Sequence, residues 1–221
     1  MRRALGLRVL GACALLVLSA CTPGEPEPWA PVQAVPGTAN QFLVRDPGPP
    51  PNDESPPLHT LYAGEGAAAR PIARVIAVAP GGAAYVRPDR ALVVGGHVVD
   101  TRVLPGLATA PDGGIAYTRG VSPPETDVFR VRPGGVPERV TADGRSERPF
   151  FLPDGTLLWT SSAGTGVVGW FREGRRLNSY PAARVPAFPE RTRFEAGRVL
   201  FDAGEAWYSL NPVDGRTERL P

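Results

Sequence analysis

The sequence predicts an all-β chain, a small β-propeller of four-stranded blades, five in number. Three observations lead there. A glycine-centred motif recurs at a fixed period, a second hairpin signature follows each copy, and Gly and Pro punctuate short apolar runs throughout. Gly113, Gly155 and Gly197 are 42 and 42 residues apart. Each is followed by a β-prone segment: Ile115-Ala116-Tyr117, Leu157-Leu158-Trp159 or Val199-Leu200-Phe201. The Asp-Gly pair in the first two copies permits the positive φ of a tight hairpin turn, and branched and aromatic residues suit the pleats on either side.

Taken in chain order, the first unit is WAPVQAVPGTANQFLV, with Gly37 at its turn, and its second hairpin is LHTLYAGEGAAARPI. Gly82 lies 45 residues on in IAVAPGGAAYV, followed by ALVVGGHVV, and Gly113 follows 31 residues later. The last three units carry DVFRVRPGGVPERVT (127–141), GWFREGRRLNSY (169–180) and WYSLNPVDGRTERLP (207–221) as second hairpins. Four short strands per period of about 40–45 residues is the signature of propeller blades. Five units then run from residue 29 to 221, and DPGPPPNDESPP is a long loop inside the first. The alternative is four blades from about Leu58, with a tether extending to residue 57.

RPFFLPDGTLLWTS, preceded by FRVRPGGVPERVTADG, resembles the TolB-type propeller repeat. That repeat has a Gly-x-Pro-x-Arg-Leu-Thr strand, a short loop, and then Pro-x-Phe-Ser-Pro-Asp-Gly before an apolar strand. Gly135, Pro137, Arg139, Val140, Thr141, Pro149, Phe151, Pro153, Asp154 and Gly155 occupy those positions. The likeness is good from Gly106 to Ser161 and loose elsewhere. It implies a fold and a cell-envelope setting, not a reaction, because the motif residues of such repeats build turns and blade contacts.

The beginning of the chain gives an address. MRRALGLRVLGACALLVLSAC has three Arg in its first eight residues and an apolar run from Val9 to Leu18. That run suits a signal-peptide core and is too short to span a bilayer. Leu18-Ser19-Ala20-Cys21 resembles the lipobox of bacterial lipoproteins, which implies cleavage after residue 20 and diacylation of Cys21. The expected organisation is therefore a signal peptide over 1–20, a lipidated Cys and Pro-rich tether over 21–28, and the propeller over 29–221. The location expected is exported, anchored by lipid to the cell membrane or outer membrane. Two acyl chains contribute on the order of 20 kcal/mol at about 0.8 kcal/mol per buried CH₂. Cys13 leaves with the leader, so the mature chain has neither a disulfide nor a free thiol.

All 24 basic residues are Arg, which we read as codon usage rather than as a guanidinium-specific site. Removal of the leader leaves 21 Arg against 22 Asp and Glu, a near-neutral chain without the electrostatic footprint of a nucleic-acid binder. His59 and His97 are the only histidines, and no metal-ligand spacing supports them. No cofactor is expected. GEGAAA (64–69) mimics a dinucleotide fingerprint but runs into Pro71 and β-prone residues, so it reads as a hairpin turn. Glu190, Glu195, Asp202 and Glu205 scatter around one hairpin and read as solvated turn charges more readily than as a glycosidase pair.

The one patch that invites a partner is Trp170, Phe171, Arg172, Arg175 and Arg176, aromatic and guanidinium groups around the Gly174 turn. The function expected is a membrane-anchored binding or scaffolding module of the cell envelope, with another envelope protein or a small ligand as partner and no catalysis. Its alternatives are an envelope hydrolase or lyase with a site in the propeller channel, and a structural component of an envelope complex.

Overall fold

The computed structural model describes residues 32–46, 58–65, 68–122, 124–162, 167–178, 180–181, 192–202 and 206–221. The leader, Cys21, the residue-21–28 tether, Trp29, the Pro-rich run 47–57, Glu190 and Glu205 lie outside these residues. The described residues form five antiparallel sheets in succession, the blades of a propeller. Sheet one is β1 (Val32–Ala34), β2 (Gln41–Arg45), β3 (His59–Ala63) and β4 (Arg70–Val75). Sheet two is β5 (Ala77–Val78), β6 (Ala84–Val86), β7 (Leu92–Val94) and β8 (His97–Asp100). Sheet three is β9 (Val103–Thr109), β10 (Ile115–Gly120), β11 (Thr126–Val131) and β12 (Glu138–Arg139). Sheet four is β13 (Ser146–Phe151), β14 (Leu157–Ser161), β15 (Val167–Arg172) and β16 (Arg175–Arg176), with β17 (Tyr180–Pro181) also pairing β15. Sheet five is β18 (Thr192–Glu195), β19 (Arg198–Asp202), β20 (Trp207–Leu210) and β21 (Thr217–Arg219).

Within each sheet the strands pair in chain order, and β2 pairs directly with β3 from Gln41↔Ala63 to Arg45↔His59. The Pro-rich run thus joins two neighbours of one blade, as the five-unit reading expects. The five period-setting glycines all sit between the first and second strands of their sheets. Their φ values are 78° (Gly37), 67° (Gly82), 82° (Gly113), 83° (Gly155) and 78° (Gly197), a region that residues with a Cβ rarely enter. Four of these turns begin with an apolar residue followed by Pro, and Val35, Ala79, Ala110 and Leu152 are all buried there. In the Pro-Asp-Gly copies, Asp112 Oδ1 accepts from the Gly114 amide and Asp154 Oδ1 from the Thr156 amide, both at 2.9 Å. These side-chain bonds fix the turn locally. The fifth unit closes differently, with a two-residue turn at Ala196-Gly197 in which both φ are positive, the geometry suited to a right-handed hairpin twist.

The core lies in the seams between sheets. Val35, Leu61 and Val75 of sheet one meet Val78 and Tyr85 of sheet two. Sheets two and three share a larger cluster that includes Val86, Leu92, Ile115, Tyr117 and Phe129. The other face of sheet three is lined by Ala108, Ala110 and Ala116, and Phe151 of sheet four fills the space those small residues leave. Leu152, Leu158 and Trp170 of sheet four meet Val199, Phe201 and Leu210 of sheet five. Sheets two, three and four therefore each pack against a neighbour on both faces, as an isolated unit could not.

The Arg-Val-Thr segment, which begins with the last residue of β12, shows why such a motif suits a blade edge. The carboxylate of Asp127, fully buried in β11, accepts from the Arg139 guanidinium, from Thr141 Oγ1 at 3.0 Å and from the Gly144 amide at 3.2 Å. Thr141 Oγ1 also accepts from the Val128 amide at 3.0 Å. A two-residue outer strand is thus held to its sheet by side chains, which supply bonds a longer ladder would have made.

Candidate functional site

The residues of the patch sit on β15 and β16, joined by Glu173 (φ 49°) and Gly174 (φ 77°), a two-residue hairpin turn with both φ positive. Pairing fixes which face each occupies. Phe171 stands opposite Trp159 and Arg176, while Arg172 stands opposite Leu158 and Arg175. Residues directly opposite share a face, and successive residues alternate. Phe171 and Arg176 therefore belong to the face toward sheet three, and Arg172 and Arg175 to the face toward sheet five.

The single patch read from sequence needs two corrections. Trp170 does not belong to it: the side chain is 2% exposed and its ring meets Phe201 edge-on at 5.7 Å in the seam with sheet five. The cause is the alternation itself, since Trp170 falls on the face of β15 that packs against sheet five. Second, the arginines are divided. Arg176 sits over the Phe171 ring at 5.8 Å, and Phe171 stacks on Trp159 at 6.4 Å between centroids. On the opposite face, Arg175 Nη2 donates to the Val213 carbonyl of sheet five at 3.1 Å.

The hairpin is thus a ridge between two surface clefts. One, of about 660 Å³, lies toward sheet three, with Glu138, Arg139, Thr141, Trp159, Phe171 and Glu173 among its lining residues. The cations on its sheet-three wall are engaged within the chain: Arg139 with Asp127, and Arg130 with Asp112 at 3.1 Å. The other, of about 410 Å³, is lined by Arg172, Glu173, Arg175 and Val213. Arg172 has no hydrogen bond or ion pair to a described residue. It adds a Coulombic pull on nearby Asp154, whose carboxyl is held below its ordinary range chiefly by the Thr156 amide.

Among the described residues, the remaining polar positions of the sequence reading do not converge. His59 opens β3 in sheet one and His97 opens β8 in sheet two. Glu195 is level with Arg198 at one end of β19 and Asp202 is at the other, about 13 Å along the strand at roughly 3.3 Å per residue. That separation exceeds either glycosidase spacing. Among the described residues, no three His, Cys, Asp or Glu side chains gather as a metal site would need. No helix among them is long and apolar enough to cross a membrane.

Sequence reasoning missed Val213 and Glu173. Val213 is 68% exposed in an Asn-Pro-Val-Asp-Gly turn, where no alternation marks it, and its partner Arg175 lies 38 residues away in the chain.

No family model matches the chain, and no curated protein matches it. Among solved structures it is similar to TolB from Acinetobacter baumannii, with 14% identity, 82% of this chain and 52% of that chain covered, and a TM-score of 0.49. It is also similar to a putative TolB from Agrobacterium tumefaciens, with 19% identity, 81% and 76% covered, and a TM-score of 0.48. The chain thus spans about half the length of the first of these.

Proposed function

We propose that this chain is a lipid-anchored lipoprotein of the bacterial cell envelope whose propeller binds a protein partner. The observation that carries the binding role is the β15–β16 hairpin, a ridge with Arg172 and Arg175 on one flank and Phe171 and Arg176 on the other, open to clefts on both sides. A two-residue turn built on rigid strands holds those groups in place without an ordering cost at binding, and rigidly held loops are where recognition commonly sits. The anchor reading is supported by Leu18-Ser19-Ala20-Cys21 at the end of a short apolar run.

Two measurements test the two halves separately. Cys21→Ser should abolish incorporation of labelled fatty acid and leave the chain uncleaved or free of the membrane fraction. Label entering the variant, or never entering the wild type, removes the anchor. For binding, the tagged full chain is purified from membranes in mild detergent, where a stoichiometric protein should remain attached. Joint charge reversal of Arg172, Arg175 and Arg176 should weaken that capture while the thermal midpoint stays put. Capture that survives the triple change relegates the ridge to a solvated hairpin tip.

A further inference from the structure

We propose that the cleft between the tips of sheets four and five receives a carboxylate side chain of an acidic peptide segment, gripped by Arg172 and Arg175, with a neighbouring apolar side chain of that segment lying on Val213. This rests on the binding-module reading and says which flank of the ridge is used and by what chemistry.

The turn carries a local electrostatic cost that its surroundings return only in part, through the pull between Arg172 and Asp154. Arg172 and Arg175 are the pair that closes the turn, directly opposite and on the same face. Like charges in that position destabilise a strand pair, and a two-residue turn makes no demand for Arg at either place. Arg172 makes no hydrogen bond or ion pair with a described residue, and the Asp154 carboxylate near it already accepts from the Thr156 amide. Arg175 uses one nitrogen on the Val213 carbonyl, which draws its guanidinium across to sheet five and leaves its other donors open. Asp214, the acid beside Val213, lies 3.7 Å from Arg216 and accepts from that residue's amide, so it has its own partner. Two planar forks with open N–H groups suit a planar anion that accepts two bonds at once.

The cleft also has an apolar wall, Val213. Val213 is 68% exposed, yet its turn is fixed: its own amide donates to Asn211 Oδ1 at 2.9 Å, and the Gly215 amide donates to the Asn211 carbonyl at 2.9 Å. A rigid turn thus presents a valine to solvent beside two guanidinium groups. A lone inorganic anion would use the arginines and ignore the valine, whereas a peptide with an acid beside an apolar residue uses both. The size agrees. The cleft's 410 Å³ corresponds to roughly a dozen waters at about 30 Å³ each, room for two or three side chains. Glu173 on the rim repels an incoming carboxylate and so weakens the site's grip on it.

The test uses the full chain in non-ionic detergent and fluorescence anisotropy with a labelled peptide of alternating Glu and Leu, against a Gln and Leu counterpart. The acidic peptide should bind and the neutral one should not. Arg172→Gln and Arg175→Gln should each lower affinity about tenfold, the scale of one lost charge-assisted contact. Arg172→Lys should fail to restore it, Val213→Ser should weaken it, and Glu173→Gln should strengthen it several-fold. Equal binding of both peptides overturns the proposal, as does indifference to the arginine changes. So does complete displacement by equimolar inorganic phosphate, or capture of anionic vesicles in place of the peptide. The wider reading fails differently. A co-purifying protein whose capture survives the joint Arg172→Gln and Arg175→Gln change leaves the binding module standing and sinks this cleft. Acidic-peptide binding without any co-purifying protein leaves the cleft standing and sinks the module.

Discussion

The hydroxyl of Tyr117 donates to Asp100 Oδ2 at 2.6 Å across the seam between sheets two and three, joining two nearly buried side chains. Tyr117 is fully buried, and the Asp100 side chain is 8% exposed. Burial first, and then this bond, push the phenol far above its ordinary range. Arg119 supplies a second, longer contact to the same oxygen at 3.4 Å, while its guanidinium lies 4.9 Å over Phe129. Tyr117→Phe keeps the stack on Phe129 and removes only the donor. The expected loss is about 1–3 kcal/mol, the cost of leaving a buried polar partner under-satisfied. Urea unfolding reads it as a lower midpoint with an unchanged slope. Asp100→Asn retains an acceptor and should cost less, and the reverse order would remove this bond as the seam's polar tie.

Gly155 isolates backbone strain from packing. Its φ is 83°, and a Cβ built there meets nothing within 4 Å. Gly155→Val should destabilise by about 1–3 kcal/mol through conformation alone, and Gly155→Asn should recover much of that because Asn tolerates the left-handed region. Equal stability of the Val variant in thermal melts would mean the turn relaxes to another type.

These glycines were the most legible feature of the sequence because each answers a backbone requirement that almost no other residue meets, so the period survives where side chains drift. The second hairpins were legible for the same reason, at Gly95-Gly96, Gly134, Gly174 and Gly215, all with positive φ. The facing of individual side chains was harder. Alternation tells the two faces of a strand apart but does not say which is wet, and in β15 Trp170 enters the seam with sheet five while Phe171, next to it, stacks on Trp159 within its own sheet beside a cleft. The division of the arginines follows from the pleat once the two-residue turn at Glu173-Gly174 is known, since Arg172 and Arg175 then fall opposite and Arg176 falls on the other face. Contacts such as Tyr117–Asp100 depend on how blades abut, and nothing local announces them.

Acid should loosen the fold through its lowered carboxylates, Asp46 and Asp143 among them. Asp46 is held below its ordinary value, foremost by the Thr60 hydroxyl at 2.6 Å and also by Arg74 at 2.8 Å. At Asp143, burial is the largest influence and opposes ionisation, but the Ser161 hydroxyl at 2.8 Å and the Arg145 amide at 3.1 Å outweigh it, so its carboxyl too is lowered. A lowered folded-state value stabilises above the unfolded value of about 3.9 and is lost as pH falls through the folded value. The urea midpoint should therefore hold steady above roughly pH 5 and drop below about pH 4. Asp46→Asn with Asp143→Asn should flatten that drop. An acid slope identical to wild type would assign it to other groups.

Truncating the two neighbouring aromatics of β15 should separate stability from recognition. Trp170 is buried against Phe201, Leu158 and Leu210, so Trp170→Ala opens a cavity in the seam between sheets four and five and should cost about 3–5 kcal/mol. Phe171 is half-buried, stacked on Trp159 at one side of the larger cleft, and Phe171→Ala should cost about 1–2 kcal/mol because less of the side chain leaves water on folding. The order of the two losses is the informative quantity, and thermal melts of both variants measure it directly. A Phe171→Ala chain that melts close to wild type then serves as the clean probe of the sheet-three flank: if captured protein is lost with it and retained in Arg172→Gln, the partner sits over Trp159 and Phe171 rather than over Val213. A loss for Phe171→Ala as large as that for Trp170→Ala would instead make Phe171 part of the core, and with it the larger cleft a packing gap between blades.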